Sequence, residues 1–186
     1  MQDLLDSQSI MADASLTAEP GRDVRPSDAS AVIYRRGKDL AAGCMRWGFS
    51  NPYKKGLIIN ARAETAAEKN LFADSVAKRR CIIPASGFYE WDPYKARFRF
   101  TLPGDELLLM AGFWHEEQGT RRYTILTADA NDSMKPVHDR MPVMIGRNEI
   151  RPWIFEDSKL TEFLGRRQPE LICEQDSGQI RMDLGL

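Results

Sequence analysis

The sequence is short of the residues that most often announce a function. There are three cysteines, Cys44, Cys81 and Cys173, widely spaced and with no CxxC pair. An odd, scattered set argues against a disulfide framework and against a zinc site, and buried thiols are expected instead. Histidine occurs twice, as His115 and His138, so a metal site would have to lean on carboxylates, and no metal-ligand spacing is present. No metal and no cofactor is expected. No apolar run is long enough to span a bilayer, which speaks against a membrane partner. Met1 to Ala14 carries Asp3, Asp6 and Asp13 and no basic residue, the reverse of a secretory signal. A cytoplasmic protein is expected. Phosphate-binding loops, dinucleotide fingerprints, internal repeats and low-complexity stretches are all missing.

What remains is a chain of 186 residues, 42% hydrophobic and 28% charged, the profile of one globular domain. The net charge of −1 conceals a division along the chain. Residues 31–100 hold fourteen basic and six acidic side chains, whereas both flanking regions are acidic. A basic middle can bind a polyanion locally in a nearly neutral protein; it can equally be a solvated face.

Many short apolar segments predict strands at Ala31–Tyr34, Gly43–Phe49, Leu57–Ile59, Cys81–Pro84, Gly87–Trp91, Tyr123–Thr127 and Met141–Ile145. Residues 1–30 read as a weak helix and a loop broken by Pro20-Gly21 and Pro26. A helix is predicted over Thr65–Arg80, with cations at its end, and a short one over Asp157–Leu164. Arg97–Leu102 and Leu107–Phe113 read as a hairpin across Pro103-Gly104-Asp105. The expected class is α+β: a single domain with a mixed, barrel-like β-sheet core and a few flanking helices.

Four segments carry polar chemistry at strand ends, where distant side chains can converge. They are Met45-Arg46-Trp47-Gly48-Phe49, Asn60-Ala61-Arg62-Ala63-Glu64-Thr65, Arg80 to Trp91, and Leu126 to Asn131 followed by His138-Asp139-Arg140-Met141-Pro142. Glu90 lies among aromatics in Phe88-Tyr89-Glu90-Trp91. Desolvation there would raise its pKa into a range useful for general acid–base work; the alternative is a salt bridge to an arginine. His138 is open between a capping or core role and a catalytic one. Trp47 is open between core and stacking platform.

These segments, in this order, resemble the SOS-response-associated peptidase (SRAP) family, over roughly residues 20–155. The resemblance implies an SRAP-like fold over the whole chain and a role in the SOS response to DNA damage. The implied partner is single-stranded DNA containing abasic sites, met at the nucleoid during repair, by a protein expected to be a monomer. It implies a self-processing peptidase-like activity and a lyase-like crosslinking chemistry, in which an N-terminal cysteine closes a thiazolidine ring on the abasic sugar. By the same resemblance Asn60, Glu90 and His138 are the catalytic positions. Arg46 and Arg62 are phosphate contacts, Pro26 packs against a neighbouring base, and Thr127 is a hydroxyl lining the site. Tyr53, in the loop after Trp47, is a candidate for stacking.

The chain departs from the family at its start. It opens Met1-Gln2-Asp3, which resembles the family's first helix, and the Cys-Gly-Arg strand expected before it is missing. Either the true start lies upstream, or this is a shortened relative that binds single strands without covalent capture. A general Glu/His hydrolase is the remaining alternative; no nucleophile arrangement supports it, since Ser86 beside Gly87 has no elbow motif.

Overall fold

In a computed structural model, which describes residues 1–16 and 22–176, thirteen strands and five short helices follow one another along the chain. Helix α1 (Gln2–Ser7) and strand β1 (Met11–Ala12) precede the hairpin β2 (Ala29–Arg36) and β3 (Asp39–Trp47). Then come β4 (Phe49–Ser50), β5 (Leu57–Ile58), β6 (Asn60–Arg62), α2 (Ala63–Ala66) and α3 (Ala73–Lys78). Strands β7 (Arg80–Ala85), β8 (Phe88–Trp91), β9 (Arg97–Thr101), β10 (Leu108–Glu117), β11 (Thr120–Asp129) and β12 (Arg140–Pro142) form the middle. Helices α4 (Ile150–Phe155) and α5 (Leu160–Gly165) and strand β13 (Ile172–Gln175) end the described chain.

Strands β3, β2, β7, β10 and β11 pair antiparallel in that order. The ring closes where β11 meets β3 in parallel, Arg122 beside Arg46 and Tyr123 beside Trp47. The core is a five-stranded mixed barrel, which leaves these strands without a long free edge. Because side chains alternate across a strand, the barrel divides the apolar residues into two sets. Val32, Tyr34, Met45, Cys81, Ile83, Met110, Tyr123 and Ile125 point inward. Ile33, Leu40, Ile82, Phe113 and Leu126 point outward, and the helices cover them. Trp47 lies on the inner side, its ring parallel to Tyr123 with centroids 6.5 Å apart and its Nε1 donating to Ile59 O at 3.0 Å. That assigns it to the core. Gly48 turns the chain out of β3 at φ +100°, in a place where a Cβ would stand 2.9 Å from Leu57 Cβ.

Two predicted elements come out differently. The helix expected over Thr65–Arg80 is broken into α2 and α3, because Phe72 turns inward between them to meet Phe113 at 5.3 Å and Phe49 at 6.3 Å. Arg80 is not a solvated cation at a helix end but the first residue of β7, buried, donating to Val76 O and Ala77 O and paired with Asp157 at 2.6 Å. The hairpin across Pro103-Gly104-Asp105 does not form. Strand β9 pairs with β8 and β13 in a separate three-stranded sheet, while β10 joins the barrel. The turn residues mark a crossing between sheets, a distinction that local chemistry cannot make. Of the three thiols expected to be buried, Cys81 is buried, Cys44 is half-buried and Cys173, on edge strand β13, is exposed. Among the described residues no helix is long and apolar enough to cross a membrane, and no cluster of His, Cys, Asp and Glu could hold a metal ion.

Candidate functional site

The barrel has two unlike ends. At one lie the start of β2, the ends of β3, β7 and β11 and the start of β10. Strand β11 runs past this end and gains new partners there. On one edge β6 takes over from β3, pairing Asn60 with Ile125 and Arg62 with Thr127. Beyond β10, β12 pairs Arg140 with Asp129. In a parallel register, neighbouring residues share a face. Asn60 and Arg62 therefore leave β6 on the inner side, with Ile125 and Thr127, and Ala61 is buried on the outer side. Both polar side chains are exposed at the barrel mouth. Thr127 is buried beneath them, its Oγ1 3.5 Å from Ala61 O.

Glu90 comes from β8, which continues from the same end of β7. Phe88 stacks on Phe100 at 5.2 Å against the inner core, and alternation sets Glu90 on that face. Burial pushes the Glu90 carboxyl above its ordinary value; the charge of His138 and a hydrogen bond from the Trp91 main chain oppose the shift without cancelling it. No arginine pairs with Glu90 among the described residues.

His138 sits on the turn before β12, its side chain 39% exposed. The Arg140 main-chain N–H donates to its Nδ1 at 3.0 Å. The Arg140 carbonyl oxygen lies 3.1 Å from the same nitrogen, so Nδ1 is turned into the Arg140 main chain and Nε2 away from it. Nε2 has no protein partner among the described residues. A turn-capping nitrogen and a free nitrogen thus coexist on one ring, and the two roles left open by the sequence are compatible.

One residue that the sequence reading passed over ties this arrangement together. Arg140 grips the Glu64 carboxylate with both terminal nitrogens, at 2.9 and 2.8 Å, and also bonds Asp129 and Thr127 O. Its side chain is only 16% exposed. The hydrogen bond from Arg140 is also the first cause of the lowered pKa of Glu64. The clamp joins the Asn60–Glu64 segment, the end of β11 and the His138 turn. A carboxylate two residues after Arg62 and an arginine two residues after His138 were the available signal.

The other expected positions lie apart. Arg46 alternates with Trp47 and so projects from the outer face of β3, opposite to Asn60. Its Nη1 donates to Ser27 O at 3.0 Å, which tethers the exposed turn carrying Pro26. Arg46 and Pro26 form a rim of their own beside the mouth. Tyr53 is 85% exposed in the loop between β4 and β5. Its main-chain N–H donates to Asn51 Oδ1 at 3.0 Å.

This architecture is shared. A solved protein structure from Bordetella bronchiseptica superimposes with a TM-score of 0.73 at 25% identity, over 94% of this chain and 95% of that one. A structure from Bacteroides thetaiotaomicron gives 0.76 at 18% identity over 94% and 87%, a likeness of fold. Among curated proteins, the abasic site processing protein YoaM of Bacillus subtilis is 35% identical over 160 residues, 78% of this chain and 70% of YoaM. The abasic site processing protein YoqW of the same organism is 37% identical over 149 residues, 73% and 66% respectively. The chain thus spans about two thirds of the length of these relatives. The family model for SOS response associated peptidase (SRAP) matches residues 2–176, and with the barrel and these relatives it places the chain in the SRAP family.

Proposed function

We propose that this chain processes abasic sites in single-stranded DNA, with Asn60, Glu90 and His138 around the exposed deoxyribose and Arg62 on a flanking phosphate. The reading is carried by the charge of His138 acting on the buried Glu90 carboxyl, at the end of the barrel where Asn60 and Arg62 are exposed. An abasic sugar offers hydroxyls and, in its open form, an aldehyde. A carboxyl with a raised pKa can take and return a proton in the ring-opening of such a sugar. His138 Nε2, when protonated, can donate to the sugar oxygen, and the Asn60 amide can both donate and accept. Exposed Tyr53 and Trp91 are surfaces on which unpaired bases can stack. The names of the relatives, abasic site processing proteins, support the same substrate.

Covalent capture by a thiazolidine requires a thiol and an amine on one two-carbon unit, which only an N-terminal cysteine has. A polypeptide starting Met1-Gln2 has none there, and Cys44, Cys81 and Cys173 lack the adjacent free amine. An abasic single strand is incubated with this polypeptide and with one preceded by Cys-Gly-Arg, then heated and run on a denaturing gel. The expected result is a shifted band from the extended polypeptide alone, slowed by Glu90→Gln. Binding of the unextended chain to the same strand should weaken with salt, and Arg62→Ala should make the slope of log affinity against log salt shallower by about 0.7. Affinity indifferent to both salt and Arg62 would sink the reading.

A further inference from the structure

At the end of the barrel opposite the candidate site, a second cationic surface is built on the β2–β3 turn and on α4. Arg35, Arg36 and Lys38 flank Gly37, which makes the turn at φ +65°, and Arg151 stands on α4 beside them. All four side chains are exposed. The three arginines are also tethered. Arg35 lies over the Phe155 ring at 5.2 Å and Arg151 over the same ring at 4.9 Å. Arg35 Nε donates to Gly37 O at 2.8 Å, and Arg151 Nη2 to Lys38 O at 3.4 Å. Arg36 rests on the Met11 sulfur at 3.6 Å.

Among the described residues none of these four cations is in an ion pair, whereas Arg79, Arg80, Arg97, Arg140 and Arg166 all are. One carboxylate, Asp39, shares the turn, and Glu156 beside Phe155 is taken by Lys159. We infer that this surface is a second nucleic-acid contact, which holds the phosphate backbone of a strand extending beyond the barrel-mouth site. The inference rests on the reading of that site as a single-strand binder.

Two features favour phosphates over an acidic protein. Guanidinium groups resting on an aromatic ring keep the rest of their N–H edge for phosphate oxygens, in the planar fork that suits them. A protein partner would want an open apolar anchor, but Phe155, the aromatic ring of the patch, is covered by Arg35 and Arg151. The spacing also fits. Strand β2, Ala29–Arg36, at about 3.3 Å per residue, separates the two ends by roughly 23 Å, so one strand of moderate length reaches both.

The test compares single strands of about 6 and about 25 nucleotides, the second exceeding the roughly 4–16 that one strand-binding domain covers. The chain is used as it is, with Arg35→Gln/Arg151→Gln and, because that pair roofs Phe155, also Arg36→Gln/Lys38→Gln, which leaves the ring covered. The expected result is tighter binding of the long strand, lost on the order of fivefold per contact at 0.1 M salt in both variants, with the short strand bound unchanged. Long strands that bind no tighter than short ones, or whose advantage survives both variants, overturn the inference and leave the site reading intact. If the short strand fails to bind while the long one still depends on the patch, the site reading falls and the second contact stands.

Discussion

Glu90 is held in an environment that works against its charge. Burial raises its carboxyl above the ordinary 4.5, against the opposing charge of His138. The fold thus prefers the protonated acid. Stability linked to this group is complete below the unfolded pKa and is lost as pH rises through the folded one. At pH values above the folded one the native chain has lost it. Glu90→Gln, neutral and of the same shape, is expected to raise Tm at pH 7 by no more than about 4 °C, the shift that ~1 kcal/mol produces in a domain of this size. The difference should vanish near pH 4. Thermal melts of the two proteins at both pH values check this, and a Tm at pH 7 that falls in the variant would mean that the charged form is stabilised instead. A site that keeps a destabilised carboxylate at a barrel mouth does so at the expense of stability, as functional groups commonly do.

At the level of elements, β10 and β11 approach so closely that one side chain has no room. A Cβ on Gly112 would stand 2.5 Å from Thr124 O and 2.6 Å from Ile83 Cδ1, inside the barrel wall. Gly112→Ala should therefore destabilise the domain by about 1–3 kcal/mol through overpacking, although alanine is ordinarily the better strand residue. Arg80 makes the second such joint. It collects main-chain carbonyls from α3 and α4 and the Asp157 carboxylate. Arg80→Met, similar in length, leaves three carbonyls without a donor and is expected to cost about 2–4 kcal/mol. Urea unfolding of both variants reads these values directly; a loss below about 0.5 kcal/mol in either would show that the joint relaxes.

For the molecule as a whole, the barrel seam between β1, β3 and β11 depends on one acid. Asp13 accepts from Ser15, from the Tyr34 hydroxyl at 2.6 Å, and lies 3.6 Å from Arg121, which itself covers Tyr34 and Trp114. The hydrogen bonds from Ser15 and Tyr34 lower its pKa to about 2. A depressed acid contributes stability above its unfolded pKa and loses it as pH falls through the folded one. Asp13→Asn should cost about 1–3 kcal/mol at pH 7, and the gap from the native chain should close between about pH 4 and pH 2. Denaturation at several pH values measures it, and a gap that stays constant with pH would show that the loss comes from shape and not charge.

The strands of the barrel and the α+β class were legible in the sequence, since each rests on local signals, whereas the candidate site positions were read from the family resemblance. The signals are apolar runs bounded by turn residues around β2, β3, β7 and β11. What joins them was not legible. The pairing of β11 with β3 and β6, the break of the helix at Phe72, the transfer of β9 to another sheet and the Arg140–Glu64 clamp all depend on residues far apart in the chain. Alternation along β3 decided that Trp47 faces inward and Arg46 outward, but only closure of the barrel determined which side was the interior. Composition revealed a basic middle; the folded chain distributed it between the two ends of one barrel, because strands that run the length of a barrel carry their cations to both.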